Sequence, residues 1–145
     1  MAPLIALVVV TGLARLLGWA FDLEWFDSWS QATALGLAVM FLLTASAHFL
    51  QPRRDGLIAM VPPRLPSAPA LVTLTGVLES AGAIGLLVPA TARLTAVALL
   101  LLLIVMFPAN VRAARADLGI TTMPLPLRTL VQALFIAACV VVAAA

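Results

Sequence analysis

The sequence predicts an all-α, polytopic membrane helical bundle with five spanning helices. Three observations carry that prediction. Hydrophobic residues make up 64% of the 145-residue chain and charged residues only 10%, where a soluble domain carries about 25% charge. The mean hydropathy is +1.19. The apolar residues also fall into five long runs, each near the roughly 20 residues that cross a hydrocarbon core about 30 Å thick. Long apolar runs broken by Pro and charge suit helices rather than barrel strands, because backbone groups in lipid must be satisfied internally. Soluble, disordered and fibrous classes are excluded. A nucleic-acid binder is excluded too: the net charge is only +2, far from a continuous basic face.

The first span is expected over about Pro3 to Ala20. Gly18-Trp19-Ala20 resembles a small-residue cleavage site, but no Lys or Arg precedes the apolar run, so a retained helix is expected rather than a signal peptide. The segment Phe21 to Ser30 is acidic, with Asp22, Glu24 and Asp27. Trp19, Trp25 and Trp29 around it suit an aromatic belt at the headgroup level. The same Trp-rich loop also suits a partner-docking surface. The second span is expected over Gln31 to Leu50. The link Gln51 to Pro69 interleaves Leu57, Ile58, Met60, Val61 and Leu65 with Arg53, Arg54, Asp55 and Arg64. That pattern predicts a short helix lying flat in the interface, stopped by Pro62, Pro63 and Pro66. Further spans are expected over Ala70 to Val88, Arg93 to Val111 and Leu127 to Ala144. Pro108 is expected to kink the fourth.

Arg placement alternates between the links: scarce, rich, scarce, rich. The positive-inside rule then predicts a cytoplasmic N-terminus and an outside C-terminus.

Ionisable groups at membrane depth are expensive and mark functional candidates. Glu79 sits near the middle of the third span among Gly76, Ser80, Ala81, Gly82, Ala83 and Gly85. The small-xxx-small pairs Gly76/Ser80 and Ala81/Gly85 allow close helix approach, so Glu79 is expected to face the bundle. It is read either as a ligand or proton site or as a buried interhelical contact. Arg15 either snorkels outward to the acidic loop or turns inward to Glu79; the nearby interface favours snorkelling. With Arg15 turned away, Glu79 is expected as a neutral acid and hydrogen-bond donor. His48, Asn110 and Arg128 fall at one depth near the cytoplasmic face, with Glu79 one or two turns deeper. All three can donate hydrogen bonds to a carbonyl or an anion. Glu79, His48, Asn110 and Arg128 are therefore the expected ligand-binding set; taken separately, each also has an ordinary interfacial or capping explanation. One Cys and one His exclude an intramolecular disulfide and any multi-His metal site within one chain. Cys139 reads as inert packing. No catalytic nucleophile–base pair, haem, flavin or metal signature is visible, so an independent catalyst is not expected. Gly12, Ala14 and Gly18 on the first helix suggest a face for a partner membrane subunit or a homo-oligomer.

Ala47-His48-Phe49, Pro52, Met60-Val61-Pro62-Pro63 and Leu65-Pro66 are followed by Gly76-Val77-Leu78-Glu79-Ser80-Ala81-Gly82, Gly85-Leu86-Leu87-Val88-Pro89 and Phe107-Pro108-Ala109-Asn110-Val111. In that order and at those spacings the chain resembles the DoxX family of small bacterial and archaeal membrane proteins, over about Leu35 to Val142. The resemblance implies a compact bundle of four spanning helices. It divides the single membrane domain, residues 1–145, into an added N-terminal helix over 1–20 and a DoxX-like bundle over 31–145. It also implies a bacterial or archaeal cytoplasmic membrane. Founding members of the family are associated with a terminal quinol oxidase and with thiosulfate:quinone oxidoreduction. The expectation is therefore an accessory subunit of a quinone-linked redox system, with a quinone headgroup near His48, Asn110 and Glu79 and electrons passing through a partner subunit. Two alternatives stand beside it: a binding or carrier protein for another lipophilic small molecule, and a structural or assembly subunit of a membrane complex.

Overall fold

A computed structural model describes residues 1–116, 118 and 123–145, and of Trp25 the backbone alone. The described residues form α1 (Ala2–Phe21), a short 3-10 turn (Glu24–Phe26), α2 (Trp29–Phe49), α3 (Arg53–Met60), α4 (Ala68–Leu86), α5 (Ala92–Arg115) and α6 (Leu125–Ala143). Five of these, all but α3, are long and apolar enough to cross a membrane. The protein is a multi-pass, all-helical membrane bundle.

The boundaries follow local chemistry. Ser28 caps α2, its hydroxyl accepting from the Gln31 N–H at 3.1 Å. Proline stands in the first turn of α1, α4 and α6, where its missing N–H costs no ladder bond. α4 starts two residues earlier than the hydropathy suggests, because Ser67 takes a left-handed conformation (φ 51°) and turns the chain into Pro69. α5 continues through Pro108 and runs four residues beyond Val111. Arg112 and Arg115 fill its last turn, where positive charge meets the negative end of the helix dipole. The expected interfacial helix is α3, and Pro62 and Pro63 follow its end.

α2 is the central element, packing on α1, α3, α4 and α6, while α5 joins α4 to α6. α1 packs on α2 and on the Glu24–Phe26 turn. Helix association in lipid relies on close packing more than on hydrophobic drive, and the α2 interior is accordingly small: Ala32, Ala34, Gly36, Ala38 and Ala45 are buried. A Cβ at Gly36 would stand 2.8 Å from the Leu7 carbonyl oxygen, so only glycine lets α1 come this near.

The face expected to join chains is used within the chain. Ala14 and Gly18 are buried, and Gly18 lies against the Phe26 backbone. Only Gly12 of that set opens outward. The hairpin at residues 22–28 folds the 3-10 turn back over α1 at Gly18.

The apolar core lies at the end of the bundle that carries this acidic hairpin. It joins Leu37 and Phe41 of α2, Ala83 and Leu86 of α4, Leu99 of α5 and Cys139 of α6. Cys139 is fully buried in that packing. Arg15 snorkels, as the nearby interface favours. Its Nη1 donates to the Phe26 carbonyl at 2.7 Å and lies 3.5 Å from Asp27 Oδ1, and its guanidinium sits 5.2 Å over the Trp29 ring. Trp19 and Trp29 are exposed at this end as a belt requires; the Trp25 side chain lies outside the described residues.

Candidate functional site

At the opposite end, where α3 lies, the bundle opens. A cavity of about 450 Å3 reaches inward there, and Glu79, His48, Asn110 and Arg128 all line it. Its size is that of a small-molecule pocket.

Two polar clusters form its walls. The first joins α2 and α4. Val72, Thr75, Gly76 and Glu79 share one stripe of α4 by their i, i+3, i+4, i+7 spacing. That stripe meets His48 because Gly76 has no side chain: a Cβ there would lie 2.5 Å from His48 Cβ. His48 and Glu79 are almost fully buried, at 3% and 4% exposure. His48 Nδ1 lies 2.8 Å from the Val72 carbonyl, which can only accept, so Nδ1 carries a proton. Thr75 Oγ1 lies 3.1 Å from the same nitrogen. Nε2 faces Glu79 Oε1 at 3.6 Å. The other carboxyl oxygen, Oε2, is 2.7 Å from Thr44 Oγ1, which also lies 3.0 Å from the Phe41 carbonyl.

His48 is thus a basic neighbour of Glu79, where the sequence reading considered only Arg15. Along α4, Glu79 stands about one turn beyond Gly76, the residue beside His48, and the two side chains close that gap. Side chains lean toward the N-terminus of their own helix. On antiparallel α2 and α4, His48 therefore leans into the membrane and Glu79 leans out to meet it. Thr44 has one hydroxyl proton, which serves either Glu79 or Phe41. Of the expected small-residue pairs, Gly76 meets α2 and Gly85 meets Thr95 of α5. Ala81 is exposed instead, and Gly82 takes the close approach, against Leu99.

The second cluster joins α5 and α6. Arg128 Nη1 donates to Asn110 Oδ1 at 2.7 Å, and Asn110 Nδ2 donates to Gln132 Oε1 at 2.9 Å. Gln132 Nε2 closes the chain on the Leu103 carbonyl at 2.7 Å. The sequence reading misses Gln132. Its signal is its place one turn after Arg128 in an otherwise apolar helix.

Between these walls the lining is apolar, including Met40, Phe41, Leu103, Met106, Val131 and Phe135. Arg53 and Leu57 of α3 close the outer edge. Arg54, missed at sequence level, locks α3 in place. It donates to the His48 carbonyl, to the Pro69 carbonyl at 3.2 Å and to Thr73 Oγ1 at 2.9 Å, tying the end of α2 to the start of α4. Among the described residues no group of His, Cys, Asp and Glu could hold a metal ion.

A family model described as Domain of unknown function (DUF8561) matches residues 37–143, which is most of the chain and all of α3, α4, α5 and α6. The chain belongs to that family. No curated protein and no solved structure matches it.

Proposed function

We propose that this protein binds a lipophilic small molecule whose headgroup accepts hydrogen bonds, inside the bundle between the α2–α4 and α5–α6 walls. One observation carries the reading: the four polar residues singled out at membrane depth line a single cavity whose remaining surface is mostly apolar. Small-molecule sites combine an apolar wall with a few converging polar groups in this way. A purely structural polar cluster would need no such space.

The resemblance to DoxX makes a quinone one member of this class, and an accessory subunit of a quinone-linked redox system the corresponding role. The residues fit such a ring. Arg128 is on the lining, and a guanidinium can donate to a carbonyl. The Glu79–His48 pair on the other wall holds a proton next to the cavity. When bound, a quinone supplies reversible electron and proton uptake, and a partner subunit would supply the electrons. The same reading places the protein in a bacterial or archaeal cytoplasmic membrane. The Arg-rich end and the N-terminus face the cytoplasm and the C-terminus lies outside, by the positive-inside rule.

The test is ligand recovery and cavity filling. Mass spectrometry of an organic extract of the purified protein is expected to find a lipophilic molecule in near-stoichiometric amount. Met106→Trp, which fills the cavity without touching either polar cluster, is expected to lose it while keeping helix content. Retention by Met106→Trp of the full wild-type amount would overturn the proposal.

A further inference from the structure

The cavity lining has a charge imbalance. Glu79 faces His48, and Arg53 and Arg128 stand on the lining with no carboxylate within ion-pair distance among the described residues. Arg128 is the better placed of the two. Its only described acceptor is the neutral amide oxygen of Asn110, and its Nε is buried without a partner. An arginine stays ionised in a protein, and a buried donor left unpaired is costly. Arg128 also stands near the N-terminal end of α6, which begins at Leu125. That end already carries the positive pole of the helix dipole, where an acidic residue is the favourable choice. Arg53 starts α3, whose first turn holds Asp55, an acceptor for Gln51. Arg128 and Arg53 face one cavity, and among the described residues neither has a carboxylate partner.

We infer that the cavity takes an amphiphile with an oxyanion head, a carboxylate or a phosphate, whose head meets the Arg128 guanidinium and whose hydrocarbon tail lies among Met40, Phe41, Leu103, Met106 and Phe135. This rests on the proposed ligand-binding function and narrows it, since it selects a charged head over the neutral carbonyls of a quinone. The guanidinium is a planar donor group of the kind that pairs with carboxylate or phosphate oxygens. Asn110 and Gln132 hold the guanidinium from behind through Nη1. The apolar wall accounts for the tail, and the two arginines without a carboxylate partner among the described residues account for the head.

The test compares four compounds built on a ten-carbon chain: decanoate, decyl phosphate, decanol and decylubiquinone. Each is titrated into the full chain in neutral detergent and read by equilibrium dialysis. At least one oxyanion is expected to bind saturably, one per chain, and at least tenfold tighter than decanol and decylubiquinone. Preference for decanoate points to fatty acids and preference for decyl phosphate to lipid phosphates; either supports the inference. Arg128→Gln is expected to lower oxyanion affinity about tenfold while leaving decanol binding unchanged, and Arg128→Lys to retain part of it. Equal or tighter binding of decanol or decylubiquinone overturns the inference and leaves the proposed function standing. Binding of none of the four overturns both. The wild-type comparison decides the matter without a variant, should Arg128→Gln fold poorly.

Discussion

Glu79→Ala leaves buried His48 Nε2 without its facing group, while Thr44 keeps the Phe41 carbonyl. The expected cost is about 1–3 kcal/mol, the desolvation penalty of an unmet buried group. It is read as lost thermal stability in detergent. Glu79→Gln keeps the shape and most hydrogen bonds and is expected to lose less. His48→Ala combined with Glu79→Ala is expected to cost less than the two single changes added together, since contacting residues couple by about 0.5–3 kcal/mol. Strict additivity would mean the 3.6 Å approach of Nε2 to Oε1 contributes nothing. At this scale the identities were legible and the partnerships were not. Cost at membrane depth picks out Glu79, His48, Asn110 and Arg128 without a structure. Counting residues along a helix axis, however, treats a side chain as a point. It therefore misses that His48 and Glu79 lean toward each other, and it passes over Gln132 and Thr44, which have no charge to flag them.

Among the elements, α1 and α2 offer a controlled comparison. Gly36→Leu would drive a side chain into the Leu7 backbone, whereas a Cβ at Gly12 meets nothing within 4 Å. Gly36→Leu is expected to destabilise by about 1–3 kcal/mol, the usual cost of overpacking. Gly12→Ala is expected to be neutral or to stabilise by up to about 1 kcal/mol through helix propensity. Thermal unfolding of the two variants side by side checks both. Equal destabilisation would mean that α1 does not pack on α2 through Gly36. Helix number, order and length were legible here, because hydrocarbon thickness fixes the span and Pro and Arg mark its ends. The rotational face of α1 was not. Gly12, Ala14 and Gly18 look alike as small residues, and only the hairpin through Phe26 decides that Gly18 faces inward and Gly12 outward. Gly82 and Ala81 pose the same problem one residue apart on α4.

The whole molecule has two unlike ends. The Arg-rich end holds the cavity of about 450 Å3, and the acidic, Trp-bearing end has the apolar core beneath a smaller pocket of about 300 Å3 beside Ser28, Gln31 and Arg93. The proposed orientation is checked by reporter fusions: a C-terminal fusion is expected to be active only outside the cytoplasm. Cytoplasmic activity there would reverse the assignment while leaving the five spans intact. The asymmetry also sets how the protein meets an electric field. With water in the cavity, the membrane voltage falls mainly across the close-packed half, because a polar, wetted space sustains little of it. A proton reaching Glu79 and His48 from the open side therefore crosses a small part of the roughly 2.3 kcal/mol that 100 mV imposes on a full crossing. Occupancy of the site from that side is expected to be nearly indifferent to membrane voltage, and in sealed vesicles an imposed potential should leave decanoate binding unchanged.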